Sequence, residues 1–313
     1  MSLRVFISGA TGFVGRHLID WLSISDYEIY GTSFPDKPDS SKDNQIFFMD
    51  IRSGGEVLKA IKEVRPDWIF HLAAVSNVKH SWEKREETLE TNLMGTFYLF
   101  EALRNYAPQA RTLFISSSDV YGSFGPNKKV LKEEDSPLVV NPYAFTKVSG
   151  EIMSKFYTQV ENLDIVVARP FPHTGPRQSP AFVCSDWASQ IAKIEKGLTE
   201  AVIKVGNLKA ERDFCDVRDV VKAYALLLRK GKKGEVYNVC LGQAFSLSDI
   251  LQHLLSFSSK KIKVQVDSRR LRKADIPLLL GDNQKIKSTC SWEAQIPLKQ
   301  SLFDLLEYWR ETI

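Results

Sequence analysis

Short apolar runs alternate with longer amphipathic stretches through the first half of the chain. The runs span residues 4–8, 28–33, 46–51, 68–74, 112–115 and 164–168, and each reads as a strand buried on both faces of a sheet. Helical spacing intervenes: Leu18, Ile19 and Leu22 follow the first run, residues 55–64 follow the third, and a long helix with Asn92, Gly95 and Phe97 precedes the fifth. Strand and helix in strict alternation predict an α/β fold, a doubly wound parallel sheet. After Arg169 the texture changes, because Pro170, Pro172, Pro176 and Pro180 stiffen the chain and forbid regular ladders. That segment is expected to cross into a smaller C-terminal lobe.

Composition narrows the class without choosing a function. The 313 residues are 43% hydrophobic and 26% charged, as in an ordinary globular protein large enough for a domain and a lobe. A formal charge of +4 is too small to argue for nucleic acid, although a local basic cluster still suits a phosphorylated small molecule. Cys184, Cys215, Cys240 and Cys290 are widely spaced, which predicts free thiols and no metal site. No run reaches the roughly 18 apolar residues of a membrane span, and residues 1–7 lead directly into a strand pattern. A cytoplasmic protein is the expectation.

Candidate chemistry begins where the first strand ends. Gly9, Gly12 and Gly15 form Gly-x-x-Gly-x-x-Gly between a strand and a helix. In that context glycine allows a tight turn, lets backbone approach a pyrophosphate and leaves a helix N-terminus facing the anion. Residues 1–170 are therefore expected to form a dinucleotide-binding Rossmann domain. The second strand ends in Gly31, Thr32 and Ser33 without the acidic residue that bonds a ribose 2′-hydroxyl in NAD enzymes. Neutral residues there, with Lys37 or Arg52 in reach, favour NADP(H) and leave NAD(H) possible. Asp50, ending the third strand, is read as an adenine contact or a helix N-cap. Leu72, Ala73 and Ala74 end the fourth in small residues against which a cofactor can lie; His80 is expected on a surface or loop.

Thr112 to Lys147 carry the catalytic candidates. Tyr143 and Lys147 stand at i and i+4 of a predicted helix, on one face. A nearby ammonium favours phenolate and would bring the tyrosine down from its usual pKa of about 10. Ser117, after the fifth strand, supplies a second hydroxyl for a substrate oxygen changing from carbonyl to alkoxide. Two residues at helical spacing are common on any helix surface, so the pair signifies only in company.

The company is informative. Gly9-x-x-Gly12-x-x-Gly15, Asp50, Leu72-Ala73-Ala74, Asn92, Ser117 and Tyr143-x-x-x-Lys147 together resemble the extended short-chain dehydrogenase/reductase superfamily in its nucleotide-sugar branch. Residues 169–176, Val205-Gly206-Asn207-Leu208, 212–219, Val236–Cys240 and Gly281-Asp282 look like the group of GDP-mannose 4,6-dehydratases and GDP-4-keto-6-deoxy-D-mannose reductases, with the greater similarity to the reductases. The resemblance implies a catalytic set of Ser117, Tyr143 and Lys147. It implies a pyrophosphate loop of Thr11, Gly12, Phe13 and Val14, adenine contacts at Asp50 and Ile51, and a nicotinamide neighbour in the segment from Pro170 to His173. Thr32 and Asn92 join the implied cofactor contacts. Ser76, Asp119 and Pro172 are implied substrate contacts, with Arg212 and Arg272 clamping the GDP diphosphate and Asp275 near the nucleotide; guanidinium forks suit phosphate oxygens. The cluster 269–273 can equally be a solvated basic face. Pro172 stands where much of the group has Asn. Asp119 stands where the dehydratases have a Glu base, one methylene longer.

The implied activity is NAD(P)H-dependent reduction of a C4 ketone in GDP-4-keto-6-deoxy-D-mannose to GDP-D-rhamnose. The alternatives are a GDP-mannose 4,6-dehydratase, then a nucleotide-sugar 4-epimerase, and outside enzymes a non-catalytic dinucleotide sensor. A homodimer through helices near Asn92 and Tyr143 is also implied. Residues 171–313 would form mainly the nucleotide-sugar lobe, with segments near 213–242 returning to the first domain.

Overall fold

The computed structural model describes residues 2–35, 45–122, 130–270 and 276–313. Its strands are β1 (Leu3–Ser8), β2 (Tyr27–Ser33), β3 (Gln45–Phe48), β4 (Trp68–His71), β5 (Arg111–Ile115), β6 (Asp164–Pro170), β7 (His173–Thr174), β8 (Val202–Val205), β9 (Glu211–Asp213), β10 (Cys215–Asp216), β11 (Val236–Val239), β12 (Ala244–Ser246), β13 (Lys263–Val266) and β14 (Leu278–Leu279). Its helices are α1 (Phe13–Leu22), α2 (Gly54–Val64), α3 (Val78–Glu83), α4 (Arg85–Leu89), α5 (Gly95–Tyr106), α6 (Pro142–Gln159), α7 (Val183–Glu195), α8 (Val217–Lys230), α9 (Leu247–Ser256), α10 (Gln284–Cys290) and α11 (Leu298–Thr312).

Seven strands form one sheet in the order β11-β6-β5-β4-β1-β2-β3, with every pairing parallel. Both faces are covered. Leu18, Val220, Tyr224 and Ile286 from α1, α8 and α10 pack on one side, and Val57, Ile61, Leu99, Phe100 and Tyr157 from α2, α5 and α6 on the other. Consecutive strands run outward from β1 to β3, and the chain then returns to the far side of β1 as β4. Open α/β sheets bind ligands at such a switch point, outside the carboxyl ends of the strands. The loops there are residues 9–12 after β1 and 72–77 after β4.

A separate core holds the later chain, where Trp187, Ile191, Leu251, Leu254, Leu302 and Leu305 bring α7, α9 and α11 together. The sheet takes back β11 beside β6, so the chain leaves the first layer system after β6 and re-enters it before the lobe is finished. Among the described residues no helix is long and apolar enough to cross a membrane.

Local chemistry shifts several boundaries from those the apolar pattern predicts. The third strand stops at Phe48 and the fourth at His71, because residues 49–53 and 72–77 turn at the sheet edge. The polar segment at 76–82 contains a helix, since Asn77 caps α3 by accepting from His80 N at 3.0 Å. His80 therefore sits on α3, 3.6 Å from Glu87. The expected long helix is interrupted by a π-helical turn, Glu90–Met94, a form that often marks functional positions.

Gly150 faces the sheet, and a Cβ added there would lie 2.3 Å from Phe114 Cζ. Phe114 is buried against Phe100 and His71 and has nowhere to move. Gly150→Ala is expected to lower stability by about 1–3 kcal/mol through overpacking, read by urea denaturation; unchanged stability would refute this account of how α6 sits on β5.

Candidate active site

At the end of β1 the backbone turns at Gly9, whose φ is +72° and whose added Cβ would meet Ala73 N at 2.9 Å. Only glycine takes that turn without strain. Gly9 N donates to Thr32 Oγ1 at 3.1 Å and Ala10 N to Thr32 O at 2.8 Å. Thr32 is thus buried beneath the loop. Its hydroxyl, expected to meet the cofactor, accepts from the backbone of the loop and so shapes the phosphate cradle. A Cβ on Gly15 would lie 2.5 Å from the carbonyl oxygens of Gly9 and Ala10, so glycine is what lets α1 rest on the loop.

Helix α1 starts from Gly12 with no side-chain cap and no acidic residue in its first turn. Its leading N–H groups, at Phe13 and Val14 with Thr11 just ahead, keep the positive end of the helix available for a pyrophosphate. This glycine-lined cradle fits a dinucleotide.

The adenine-side residues differ from expectation. Asp50 accepts from Arg52 N at 2.9 Å and from its guanidinium at 2.7–3.0 Å. Partial burial opposes this, yet the Arg52 bonds hold its carboxyl below the usual range. The N-cap of α2 is Ser53, which accepts from Glu56 N, so the capping alternative for Asp50 is corrected. Arg52 stacks over Phe34 at 5.1 Å and is committed to Asp50; Lys37 lies outside the described residues. Ile51 is a core residue packed under Gly95, which leaves only its backbone for adenine.

After β4, Leu72 N donates to Ser8 O and Ala73 N to Ser8 Oγ, both at 3.2 Å. Ala74 follows, half-buried. Asn92 is spent within the protein, accepting from Val75 N at 2.7 Å and donating to Val75 O and Thr146 Oγ1 at 3.0 Å. Expected among cofactor contacts, it instead ties the loop after β4 to α6. His71 is a buried participant that the sequence did not suggest. It bonds Ser8 Oγ at 2.8 Å and Thr96 Oγ1 at 2.9 Å, and burial, then the charge of Lys147, pushes its pKa down to about 3. A histidine inside an apolar run gives no sign of its partners until strands align.

The catalytic candidates converge at the ends of β5 and α6. Asn141 caps α6 by accepting from Ala144 N at 2.7 Å, with Pro142 in the first turn, and this start places Tyr143 at the sheet edge. Ser117, Tyr143 and Lys147 are all buried. Lys147 Nζ donates to Ile115 O at 2.7 Å and lies 5.9 Å from the Tyr143 ring centroid. Burial lowers its pKa to about 8, against the pull of Glu151. The expected lowering of the phenol is corrected: burial first, then Asp119, raise the Tyr143 pKa above its ordinary value, while a hydrogen bond with Ser117 acts the other way. Without a nearer positive charge the phenol keeps its proton. Ser117 accepts from Asp119 N at 3.1 Å and donates to its carboxylate at 3.4 Å, which puts Asp119 beside the reacting hydroxyls.

Pro170 ends β6, Pro172 O accepts from Cys215 N at 3.0 Å, and His173 stacks on Phe13 with centroids 6.0 Å apart and planes 7° from parallel. Burial lowers the His173 pKa; its Nδ1 bonds Phe171 O at 3.0 Å. The stack joins the crossing segment to the first turn of α1. Ser76 is exposed just ahead of α3.

In the lobe, Nη1 of Arg212, the expected phosphate clamp, donates to Ile276 O at 2.6 Å and Glu211 O at 2.8 Å, which fixes the guanidinium between β9 and the segment before β14. Arg270 pairs with Asp186 and Arg269 with Asp267. Arg272 and Asp275 lie outside the described residues. Asp213, not suggested by the sequence, is buried and raised to about 6 by desolvation, although Leu241 N and Gly242 N donate to it at 2.8 and 2.9 Å.

A glycine cradle at the switch point of a parallel sheet, beside a buried Ser-Tyr-Lys cluster, defines an NAD(P)-dependent oxidoreductase of the short-chain dehydrogenase/reductase type. Residues 6–304 match the family described as GDP-mannose 4,6 dehydratase, and the chain belongs to that family. It is 33% identical to the GDP-6-deoxy-D-mannose reductase of Pseudomonas aeruginosa, over 100% of this chain and 99% of that protein. The structure of RMD from Pseudomonas aeruginosa complexed with NADPH superposes with a TM-score of 0.88 at 31% identity, covering 100% of both chains. UDP-glucose 4-epimerase of Thermus thermophilus in complex with NAD gives 0.88 at 26% identity, over 99% of this chain and 100% of that one.

The depressed His71 pKa has a stability consequence. A base that folds neutral costs stability as pH falls from its unfolded value of 6.5 toward about 3, up to about 1.4 kcal/mol per pH unit for one proton. His71→Asn is expected to flatten the loss of unfolding free energy across that window relative to wild type; equal slopes in urea titrations would overturn the assignment.

Proposed function

We propose that this enzyme reduces the C4 ketone of GDP-4-keto-6-deoxy-D-mannose to GDP-D-rhamnose, with NADPH preferred and NADH possible. The observation that carries the reading is the placement of Tyr143, buried with Ser117 and on one helix face with Lys147, where burial favours the protonated phenol. A reductase needs a proton donor at the oxygen that becomes an alkoxide, and an acid kept protonated until charge develops meets that need.

NADPH, when bound, supplies the hydride to C4. Residues 9–15 hold its pyrophosphate on the N-terminus of α1, and the segment from Pro170 to His173, stacked on Phe13, flanks the site. Tyr143 donates its proton to the developing alkoxide. Ser117 hydrogen-bonds the same oxygen and is oriented by Asp119. Lys147, fixed on Ile115 O, places a positive charge near the phenol as it loses its proton and favours the phenolate product. Asp119 lies close to these hydroxyls but is one methylene shorter than the Glu that serves dehydration, which supports reduction over elimination. The lobe around β9 and β14 takes the nucleotide sugar.

We also propose a homodimer. Met94, Phe97, Phe145, Ile152 and Phe156 on the π turn, α5 and α6 are 37–66% exposed, and exposed apolar side chains on neighbouring elements are what a protein interface covers. A second copy turned by a two-fold axis covers them with the same residues.

Tyr143→Phe is expected to lower kcat/KM for NADPH oxidation by about 10²–10⁴ with NADPH affinity unchanged by calorimetry; full activity would sink the scheme. Turnover of GDP-mannose without added cofactor would assign the dehydratase instead, and NADPH binding without turnover of either sugar would point to a sensor. Ile152→Glu should halve the sedimenting mass, whereas a wild-type protein already monomeric at working concentration would end the dimer proposal.

A further inference from the structure

Two successive residues, the last of β5 and the one after it, are each held by a different residue of α6. Ile115 O accepts from Lys147 and Ser116 Oγ donates to Glu151, while Ser117, next in line, is buried like Tyr143 and bonded to Asp119. Tyr143, Lys147 and Glu151 fall at i, i+4 and i+8 of one helix face. Glu151 is anchored in turn. Arg169 on β6 grips its carboxylate in a two-pronged pair, Nε at 2.8 Å and Nη2 at 2.7 Å, with side chains 5% and 10% exposed. The same guanidinium donates to Tyr121 OH at 2.9 Å and to Glu133 O at 3.1 Å. Tyr121 OH donates to Asn238 on β11 at 2.7 Å. The network runs from the sheet edge to the helix without touching the cradle for the cofactor.

We propose that Glu151 is a positioning residue for proton transfer, its carboxylate keeping Lys147 charged and Ser116 fixed so that Ser117 and Tyr143 stay aligned on the substrate oxygen. The proposal rests on the reading of Tyr143 as proton donor. Lys147 is the group through which Glu151 acts. It is faced from its own helix by Tyr143 and Glu151, from β4 by the neutral His71, and from β5 by the Phe114 ring, 5.4 Å away, and the Ile115 carbonyl. From the turn after β5 Asp119 acts on Tyr143, and Arg169 is turned onto Glu151. Glu151 is thus the carboxylate that sustains the buried ammonium. Burial alone drives Lys147 toward neutrality, and Glu151 opposes it.

The sign of the pH effect follows. The reaction needs charged Lys147, so the rate falls as pH rises through the pKa of Lys147, about 8; removing the negative charge at 151 brings that fall to lower pH. The test is kcat and kcat/KM for NADPH oxidation by the full-length protein with GDP-4-keto-6-deoxymannose, across pH. Glu151→Gln is expected to lower kcat and to move the alkaline limb down by about one pH unit or more. Glu151→Asp keeps the charge and should keep the wild-type limb at a reduced kcat. Because glutamine leaves Arg169 buried without its partner, E151M/R169M, which removes both ions together, serves as the second variant; losing the Arg169 cation as well, its limb should move down by less than that of E151Q. An alkaline limb of folded Glu151→Gln that coincides with wild type overturns the proposal, as does one that moves in Glu151→Asp or one that moves further down in E151M/R169M than in E151Q. Tyr143→Phe separates the two readings: full activity there removes the proton donor itself, whereas an inactive Tyr143→Phe with an unmoved E151Q limb removes only the role of Glu151.

Discussion

The structure depends on how α6 is fastened to the end of β5. Lys147 holds the carbonyl of Ile115, Glu151 holds the hydroxyl of Ser116, and Tyr143 stands one turn ahead of Lys147 on the same face. Gly150 lets the helix approach Phe114 closely enough for both bonds. Buried polar contacts of this kind are stable only when each member is satisfied, and Arg169 satisfies the last carboxylate. Packing and chemistry are therefore one arrangement at this point of the fold.

Burial then sets the protonation states. Taking a phenol out of water disfavours its anion, and taking an ammonium out of water disfavours its cation. Tyr143 accordingly keeps its proton while Lys147 is brought down to about 8. The site is poised as an acid beside a cation that is easily lost. That arrangement suits a step in which negative charge appears on a substrate oxygen.

Other residues act at one remove. Thr32 and Ser8 brace the glycine loop and the loop after β4, while His71, Thr96 and Asn92 link that second loop to α6. The stack of Phe13 on His173 joins the phosphate cradle to the crossing segment. Three parts distant in sequence, the β1 turn, the α6 start and the crossing after β6, thereby meet over the carboxyl edge of the sheet. Arg212, bound to the carbonyl of Ile276, braces the lobe on the far side.

The doubly wound sheet, its glycine loop and the shared face of Tyr143 and Lys147 were legible in the sequence, because period and spacing are local properties of a chain. The break at Asn92 was not, since the side-chain partners it meets there, Val75 and Thr146, lie well away from it in sequence. The partners of Thr32 and Arg212 within the protein, Gly9 and Ile276, were not legible either, because they lie far along the chain. The protonation of Tyr143 was misjudged for the same reason: the order of residues gives the nearness of Lys147 and says nothing of burial. The sequence by itself determined which elements form and which chemical groups lie at the sheet edge. Only the tertiary structure decided which of those groups are spent on the protein and which keep a proton, because desolvation and long-range partners exist only once the chain has closed on itself.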